Sequence, residues 1–246
     1  MVPFHTFSIV ARCLQTGRLG VAVSTAVPAV GGMCIYLAPR AGAIATQSWV
    51  NPYLGIDGLK ALGDGEKAQV VLDRLLADDP GRHLRQVGIV DRDGDVAVHT
   101  GADCVDWAGH RTGHQFAVQG NMLVSAATVD AMAAAAQASA GQPLHERLMR
   151  AMEAGQRAGG DKRGKQSAAL KIVDTEDYAW LDLRVDEHAE PVGELRRVLE
   201  VAKHQLIPFI EGMPTREDPL RNLPPSVSAM LLKPPTLRPG SGLGEG

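Results

Sequence analysis

Thr6 opens the run Thr6-Phe7-Ser8-Ile9-Val10-Ala11-Arg12, a hydroxyl at the head of an otherwise apolar stretch. Two readings are open: the first rung of a strand, or a nucleophile that removal of His5 would free. Further along, polar residues gather where strands and helices are expected to end. They are Gln47-Ser48-Trp49-Val50-Asn51-Pro52, Trp107-Ala108-Gly109-His110, Gln119-Gly120-Asn121, Gly160-Asp161 and Gln166-Ser167. Sites are built at such ends because a rigid scaffold positions the groups there. The same residue types are also the ordinary chemistry of turns, so each cluster has a bland reading beside the functional one.

Other chemistries find less support. Gly159-Gly160-Asp161-Lys162-Arg163-Gly164-Lys165 fits the phosphate-cradle pattern GxxxxGK, but Gln166 replaces the final serine or threonine. Such a cradle needs a strand before it and a helix after it, so that backbone N–H groups and the helix dipole converge on phosphate. Here the expected order is helix, then strand, and nucleotide binding is not expected. Asp91-Arg92-Asp93-Gly94-Asp95 resembles a calcium loop, but glycine stands fourth instead of sixth and Ala102 occupies the twelfth position. It reads as a hairpin turn. There is no HExxH, and His110 and His114 have no helical pattern around them, so no metal and no other cofactor is expected. Cys13, Cys34 and Cys104 are odd in number and lack CxxC spacing, which fits reduced thiols better than a disulfide or zinc framework.

The 246 residues are 45% apolar, enough for a sizeable core. A net charge of -3 argues against nucleic-acid or anionic-membrane partners, which need a basic surface. No apolar run reaches the roughly eighteen residues of a membrane span, and the first residues lack the pattern of a secretory signal. A cytoplasmic protein with a small-molecule or protein partner is expected.

The elements that must position these groups can be read from periodicity. Residues 6–14 and 19–27 are apolar, β-branched runs joined by Gln15-Thr16-Gly17-Arg18, a hairpin signal; 33–37 and 41–46 extend it to a four-strand antiparallel meander. Ala68, Val71, Leu72, Leu75 and Leu76 share a helical face, with Asp64 as expected N-cap and an irregular helical turn over 52–62 before it. A second hairpin follows at 86–90 and 96–100, then a strand at 116–123 and helices at about 129–138 and 143–158. Strands return at 167–173 and 181–186, and a last helix runs over 191–207. Two runs of strands, each followed by two helices, and a final pair of strands put two sheets face to face with helices outside. From Pro214 onward seven of the fifteen prolines occur, and the chain ends GSGLGEG, so this stretch reads as a tail or an arm on a neighbouring subunit. The apolar patch at 227–232 favours the arm.

Several of these stretches together resemble a known family. Thr6 to Arg12, Ala45-Thr46-Gln47-Ser48-Trp49-Val50-Asn51-Pro52, Trp107 to Gly113, Val118-Gln119-Gly120-Asn121-Met122-Leu123, Ala158 to Leu170 and Asp182 to Asp186 are similar to the bacterial "domain of unknown function 1028" family, grouped with the N-terminal-nucleophile (Ntn) hydrolases. The resemblance runs from Thr6 to about Leu199. It implies an α/β (α+β) fold, a four-layer αββα sandwich of two antiparallel sheets. It also implies four segments: an extension or propeptide at 1–5, the Ntn-like domain at 6–187, a C-terminal helix at 188–213 and the tail at 214–246.

The activity so implied is hydrolysis of a C–N amide bond in a small, cyclic or acylated, substrate. Thr6 is the implied nucleophile, and its own α-amine, once exposed, the base. By the same analogy Gln47 and Ser48 lie near the oxyanion, Asn121 and Asp161 flank the amine, and Ser24 supports the nucleophile from the paired strand. Asn51, His110, Arg163 and Gln166 are the expected substrate-binding residues. A homo-oligomer is expected. Two departures stand out: there is no lysine before Lys60 to tune the nucleophile, leaving Arg40 or nothing in that part, and Met1-Val2-Pro3-Phe4-His5 precedes Thr6, where relatives begin Met-Thr. Autocleavage by an N-to-O acyl shift, a start assigned too far upstream and loss of hydrolysis are the three accounts of that extension. A non-catalytic binding or assembly protein on the same fold is the alternative.

Overall fold

The computed structural model describes residues 6–233; the extension at 1–5 and the end of the tail, 234–246, lie outside the described residues. Strand β1 (Thr6–Arg12) is buried almost throughout, which explains why its sequence is apolar on both faces except at Thr6, Ser8 and the half-buried terminal Arg12. Gly17, in the left-handed region at φ 74°, turns the chain into β2 (Leu19–Thr25). Thr6 lies opposite Thr25 on that side of β1. On the other side β1 pairs with β8 (Phe116–Asn121), placing Thr6 opposite Asn121. With β7 (Gly109–Gly113), β9 (Ser167–Val173) and β10 (Ala179–Val185) these strands make a six-stranded antiparallel sheet in the order β10-β9-β2-β1-β8-β7.

The second sheet has four antiparallel strands in chain order: β3 (Ile35–Ala38), β4 (Gly42–Ser48), β5 (Arg85–Asp91) and β6 (Val96–Thr100). Its inner face packs Ala43, Ala45 and Val90 against Val10, Val21 and Val23 of the first sheet. Its outer face packs Ile44, Val87 and Ile89 against Leu62, Val71 and Leu72 of helices α1 (Pro52–Gly63) and α2 (Ala68–Asp78). Helices α3 (Ala127–Ala138) and α4 (Leu144–Arg157) pack on strands of the six-stranded sheet. The architecture is the four-layer αββα sandwich implied by the family resemblance.

Four expectations change. The four-strand meander is divided between the sheets: the free edge of β2 is taken by β9, Ser24 opposite Ala168, and the turn at Val30–Gly32 leads the chain into β3. The segment after Asn51 is a regular helix, α1, because Asn51 Oδ1 accepts from Tyr53 N at 3.1 Å and Pro52 fits the first turn. Asp64 ends α1 and does not start α2; the first turn of α2 is capped from a distance, Ala68 N donating to Asp91 Oδ2 at 3.1 Å. Strand β7 has no apolar alternation, as an exposed sheet edge allows, and was invisible to periodicity.

The chain divides into residues 1–195 and 196–246. Helix α5 (Pro191–Gln205) begins in the first unit, and the second holds its remainder, α6 (Ile207–Glu211) and α7 (Pro225–Leu231). Pro208 cannot sit inside a continuous helix without losing a backbone bond, so the chain restarts at α6. Helix α7 forms within the proline-rich stretch, where Pro225 occupies a first turn that needs no N–H. No helix among the described residues is long and apolar enough to cross a membrane.

Candidate functional site

The central strands of the six-stranded sheet end together at Thr6, Thr25 and Asn121, and the site is built on that end. Side chains alternate along a strand, so Thr6 and Ser8 share one face while Phe7 takes the other. Ser8 Oγ donates to Gln47 Oε1 of the opposite sheet at 2.6 Å, so the Thr6 face is the one between the sheets. Phe7 points the other way, toward α4, where a Cβ on Gly155 would touch its ring. Thr6 is fully buried, and its hydroxyl donates to Thr25 Oγ1 at 3.4 Å.

A layer of uncharged polar side chains surrounds this end. Gln47 Nε2 donates to the Thr6 carbonyl at 3.1 Å and to Gln86 Oε1 at 2.8 Å. Asn121 Nδ2 donates to the same Gln86 oxygen at 3.1 Å. Gln86 Nε2 in turn faces Gly120 O at 2.8 Å, Thr100 Oγ1 at 3.0 Å and Gly109 O at 3.2 Å. Gln119 Nε2 donates to Ser8 Oγ at 2.8 Å. Ser8, Gln47, Gln86, Gln119 and Asn121 are all buried, and burying so many amides is tolerable because most of their polar atoms pair within the layer, whereas Gln119 Oε1 is buried without a hydrogen-bond partner.

One ion pair stands at the edge of this layer. Asp161, its side chain 1% exposed, pairs with Arg163 at 3.1 Å and accepts from Arg163 N at 2.8 Å and Ala26 N at 3.2 Å. Ala26 follows Thr25, and Asp161 bridges Leu123, two residues past Asn121, so the carboxylate belongs to the Thr6 end of the sheet. The loop from Gly159 carries left-handed glycines at 159, 160 and 164 and runs from α4 into β9, the reverse of a phosphate cradle's order.

The residues singled out in the sequence therefore separate. Thr6, Gln47, Asn121, Asp161 and Arg163 come together. Gln166 joins them through its backbone, its N–H donating to Thr25 O at 2.8 Å. His110 is reached through Thr100, whose Oγ1 is 2.9 Å from Nδ1; burial, then Arg111 and His99, hold its pKa below the usual histidine value. Ser24 does not support Thr6: it lies opposite Phe7, on the helix-facing side, and donates to Ser167 O at 3.0 Å. Thr25 has the position expected of Ser24. Gln47 has both N–H groups engaged within the protein, leaving none for an oxyanion, and Ser48, left-handed at φ 69°, places its hydroxyl beside the Cys104 thiol. Asn51 caps α1 and donates to Asp79 Oδ2 at 3.2 Å, which is structural work at a cleft of about 310 Å³ lined also by Tyr53, Arg74 and Asp78. Among the described residues no group of three or more His, Cys, Asp or Glu side chains is arranged to hold a metal ion.

Sequence reading missed Gln86, Ser8, Thr25 and Thr100, and singled out the Gln119-Gly120-Asn121 cluster without giving Gln119 a role. Their signal is present: Ser8, Gln86 and Gln119 interrupt runs of valine, isoleucine and alanine in strands that are buried on both faces. A polar residue in such a run must find a buried partner.

The family model described as "Family of unknown function (DUF1028)" matches residues 6–195. A crystal structure of a DUF1028 protein from Silicibacter pomeroyi superposes with a TM-score of 0.81 at 29% identity, covering 89% of this chain and 100% of that one. The ancestral β-subunit Anbu from Yersinia bercovieri gives a TM-score of 0.38 at 10% identity over 85% of this chain and 98% of its own. No curated protein matches the chain.

Proposed function

The chain belongs to the DUF1028 family of unknown function, and we propose that it is an amide hydrolase of the N-terminal-nucleophile type with Thr6 as nucleophile. One observation carries the reading: the Thr6 hydroxyl stands at the end of a buried central strand, bonded to Thr25 and opposite Asn121, with the Asp161 carboxylate anchored one residue past Thr25 on Ala26 N. Rigid placement of a hydroxyl beside hydrogen-bonding groups is what nucleophilic catalysis needs.

The nitrogen of Thr6 is an amide while His5 is attached, and an amide is not a base. In the proposed maturation, Thr6 Oγ attacks the His5 carbonyl carbon, the C–N bond breaks and an ester forms with the amine freed. Water then hydrolyses that ester, releasing residues 1–5. In turnover, the free α-amine, with a reference pKa of about 7.7–8, takes the proton from Oγ as Oγ attacks the substrate carbonyl. The ammonium returns that proton to the departing amine, and water attacks the acyl ester to restore Thr6. Asp161 and Asn121 hold the ammonium, and Arg163 and His110 are candidates to receive the substrate.

Intact-mass measurement of the purified chain, with and without Thr6→Ala, followed by a panel of small amides, tests this. Loss of residues 1–5 only when Thr6 is present, with turnover that Thr6→Ala abolishes, is the expected result. Turnover by protein that retains residues 1–5 would sink the amine mechanism. The complete burial of Thr6 and its bond to Thr25 favour a second reading, a binding or assembly protein in which Thr6→Ala changes neither ligand binding nor oligomer size.

A further inference from the structure

Gln86 is in the second sheet, yet its side chain bonds to Asn121, Gly120 and Gly109 of the first sheet as well as to Gln47 and Thr100 of its own. Its Oε1 accepts from Gln47 Nε2 at 2.8 Å and from Asn121 Nδ2 at 3.1 Å. Its Nε2 faces the carbonyls of Gly120 at 2.8 Å and Gly109 at 3.2 Å, and Thr100 Oγ1 at 3.0 Å. These contacts admit one orientation of the amide. Turned over, Gln86 would set a nitrogen against two amide nitrogens and an oxygen against two carbonyl oxygens. The orientation propagates to its neighbours. Gln47, held through Nε2, puts its second N–H on the Thr6 carbonyl and its oxygen on Ser8 Oγ. Asn121, held through Nδ2, keeps Oδ1 as the atom available to a further partner, and it lies directly opposite Thr6 in the ladder.

We propose that Gln86 is a positioning residue of the Thr6 site: it fixes the amide of Asn121 so that the oxygen, and not the nitrogen, is presented to the Thr6 amine, and through Gln47 it fixes the Thr6 carbonyl. This rests on Thr6 being the nucleophile. An oxygen acceptor beside the amine stabilises its protonated form and so raises the pH at which it becomes a base.

The test uses the full-length chain, its Thr6 state read by intact mass, and a β-lactone probe. Thr6 Oγ attacks the lactone carbonyl, the ring C–O bond opens, the leaving oxygen takes the proton and the probe's mass stays on the protein. The variants are Thr6→Ala, Gln86→Met, which is of similar size without hydrogen bonds, and Gln86→Glu, which keeps both acceptors but sets an oxygen against the Gly120 and Gly109 carbonyls. The expected result is labelling of the wild type at Thr6 and none in Thr6→Ala. In Gln86→Met the saturating rate constant falls about 10- to 100-fold, the half-saturating probe concentration is unchanged, and the acid limb of the pH profile moves to lower pH. Gln86→Glu does not rescue the rate. A variant that merely loosens the fold would lower Tm without moving the acid limb. Wild-type rate and pH profile in Gln86→Met overturn the proposal and leave Thr6 standing. Absence of Thr6 labelling in the wild type overturns both.

Discussion

The side-chain amide of Gln47, in the four-stranded sheet, donates to the backbone carbonyl of Thr6, in the six-stranded sheet, at 3.1 Å. The two sheets are thereby joined by a polar contact at a point where apolar packing would otherwise be expected. Replacing Gln47 with leucine keeps the volume and removes three bonds, to Thr6 O, Gln86 Oε1 and Ser8 Oγ. Each buried group so orphaned costs on the order of 1–3 kcal/mol, tempered by local rearrangement. Urea denaturation is expected to show Gln47→Leu about 2–4 kcal/mol less stable than wild type. A loss under about 0.5 kcal/mol would mean that the layer re-pairs freely.

Gly88 tests the same layer from the backbone side. A Cβ added there would lie 2.3 Å from Gln119 Oε1 and 2.6 Å from its Nε2. Gln119 cannot swing aside cheaply, because its Nε2 is bonded to Ser8 and the residue is fully buried. Gly88→Ala is expected to cost about 1–3 kcal/mol by overpacking. Gly32→Ala, where a Cβ meets nothing within 4 Å, serves as the control and should change stability by less than about 0.5 kcal/mol.

Most of the layering was legible from sequence, because period-2 apolar runs and amphipathic helices leave a strong imprint. The distribution of strands between sheets was not: nothing local distinguishes a β2 that pairs with β3 from one that pairs with β9, some 140 residues away. Thr6, Asn121 and Asp161 stood out as polar groups at element ends, and the structure gathers them. Gln86 did not, because a single glutamine in an apolar strand announces only that a partner exists and not where. Ser24 and Thr25 differ by one position, and that one residue decides which face of the sheet a side chain occupies. The capping of α2 by Asp91 was equally illegible, since the donor and the carboxylate belong to different elements.

Asp79 gives a pH-dependent prediction. Burial works against its charge, but the Arg85 guanidinium at 2.8 Å, the Gly81 N–H and the Asn51 amide outweigh it and hold the carboxyl below the usual carboxylate range. A carboxyl with a depressed folded-state pKa contributes stability that is complete above its unfolded value, about 3.9, and is lost as pH falls through the folded value. Asp79→Asn removes that contribution and leaves Arg85, only 18% exposed, without its anion. The variant is expected to lose about 3 kcal/mol at pH 7. Urea midpoints measured from pH 7 to pH 2 should keep the gap between wild type and variant constant down to about pH 4 and narrow it only below. A gap that closes above pH 5 would contradict the depressed pKa.

Cys34 provides a probe of how the sandwich opens. It is fully buried between the sheets, and burial pushes its thiol up to about 12. Alkylation requires the thiolate. At pH 8 about one Cys34 in ten thousand would be ionised, even before access is considered. Iodoacetamide at pH 8 is therefore expected to modify Cys34 only very slowly in the native protein and readily once urea unfolds the chain. Because Cys34 belongs to the same buried cluster between the sheets as Val10, Val21, Ala43 and Ala45, reagent is expected to reach it when the two sheets separate. Its slow labelling in native buffer should thus slow further with every added increment of global stability, and speed up in Gln47→Leu by the factor that the loss in unfolding free energy dictates, tenfold for each 1.4 kcal/mol or so. Labelling of Cys34 at a rate indifferent to Gln47→Leu would show that this part of the inter-sheet layer opens locally, without separation at the Thr6 end.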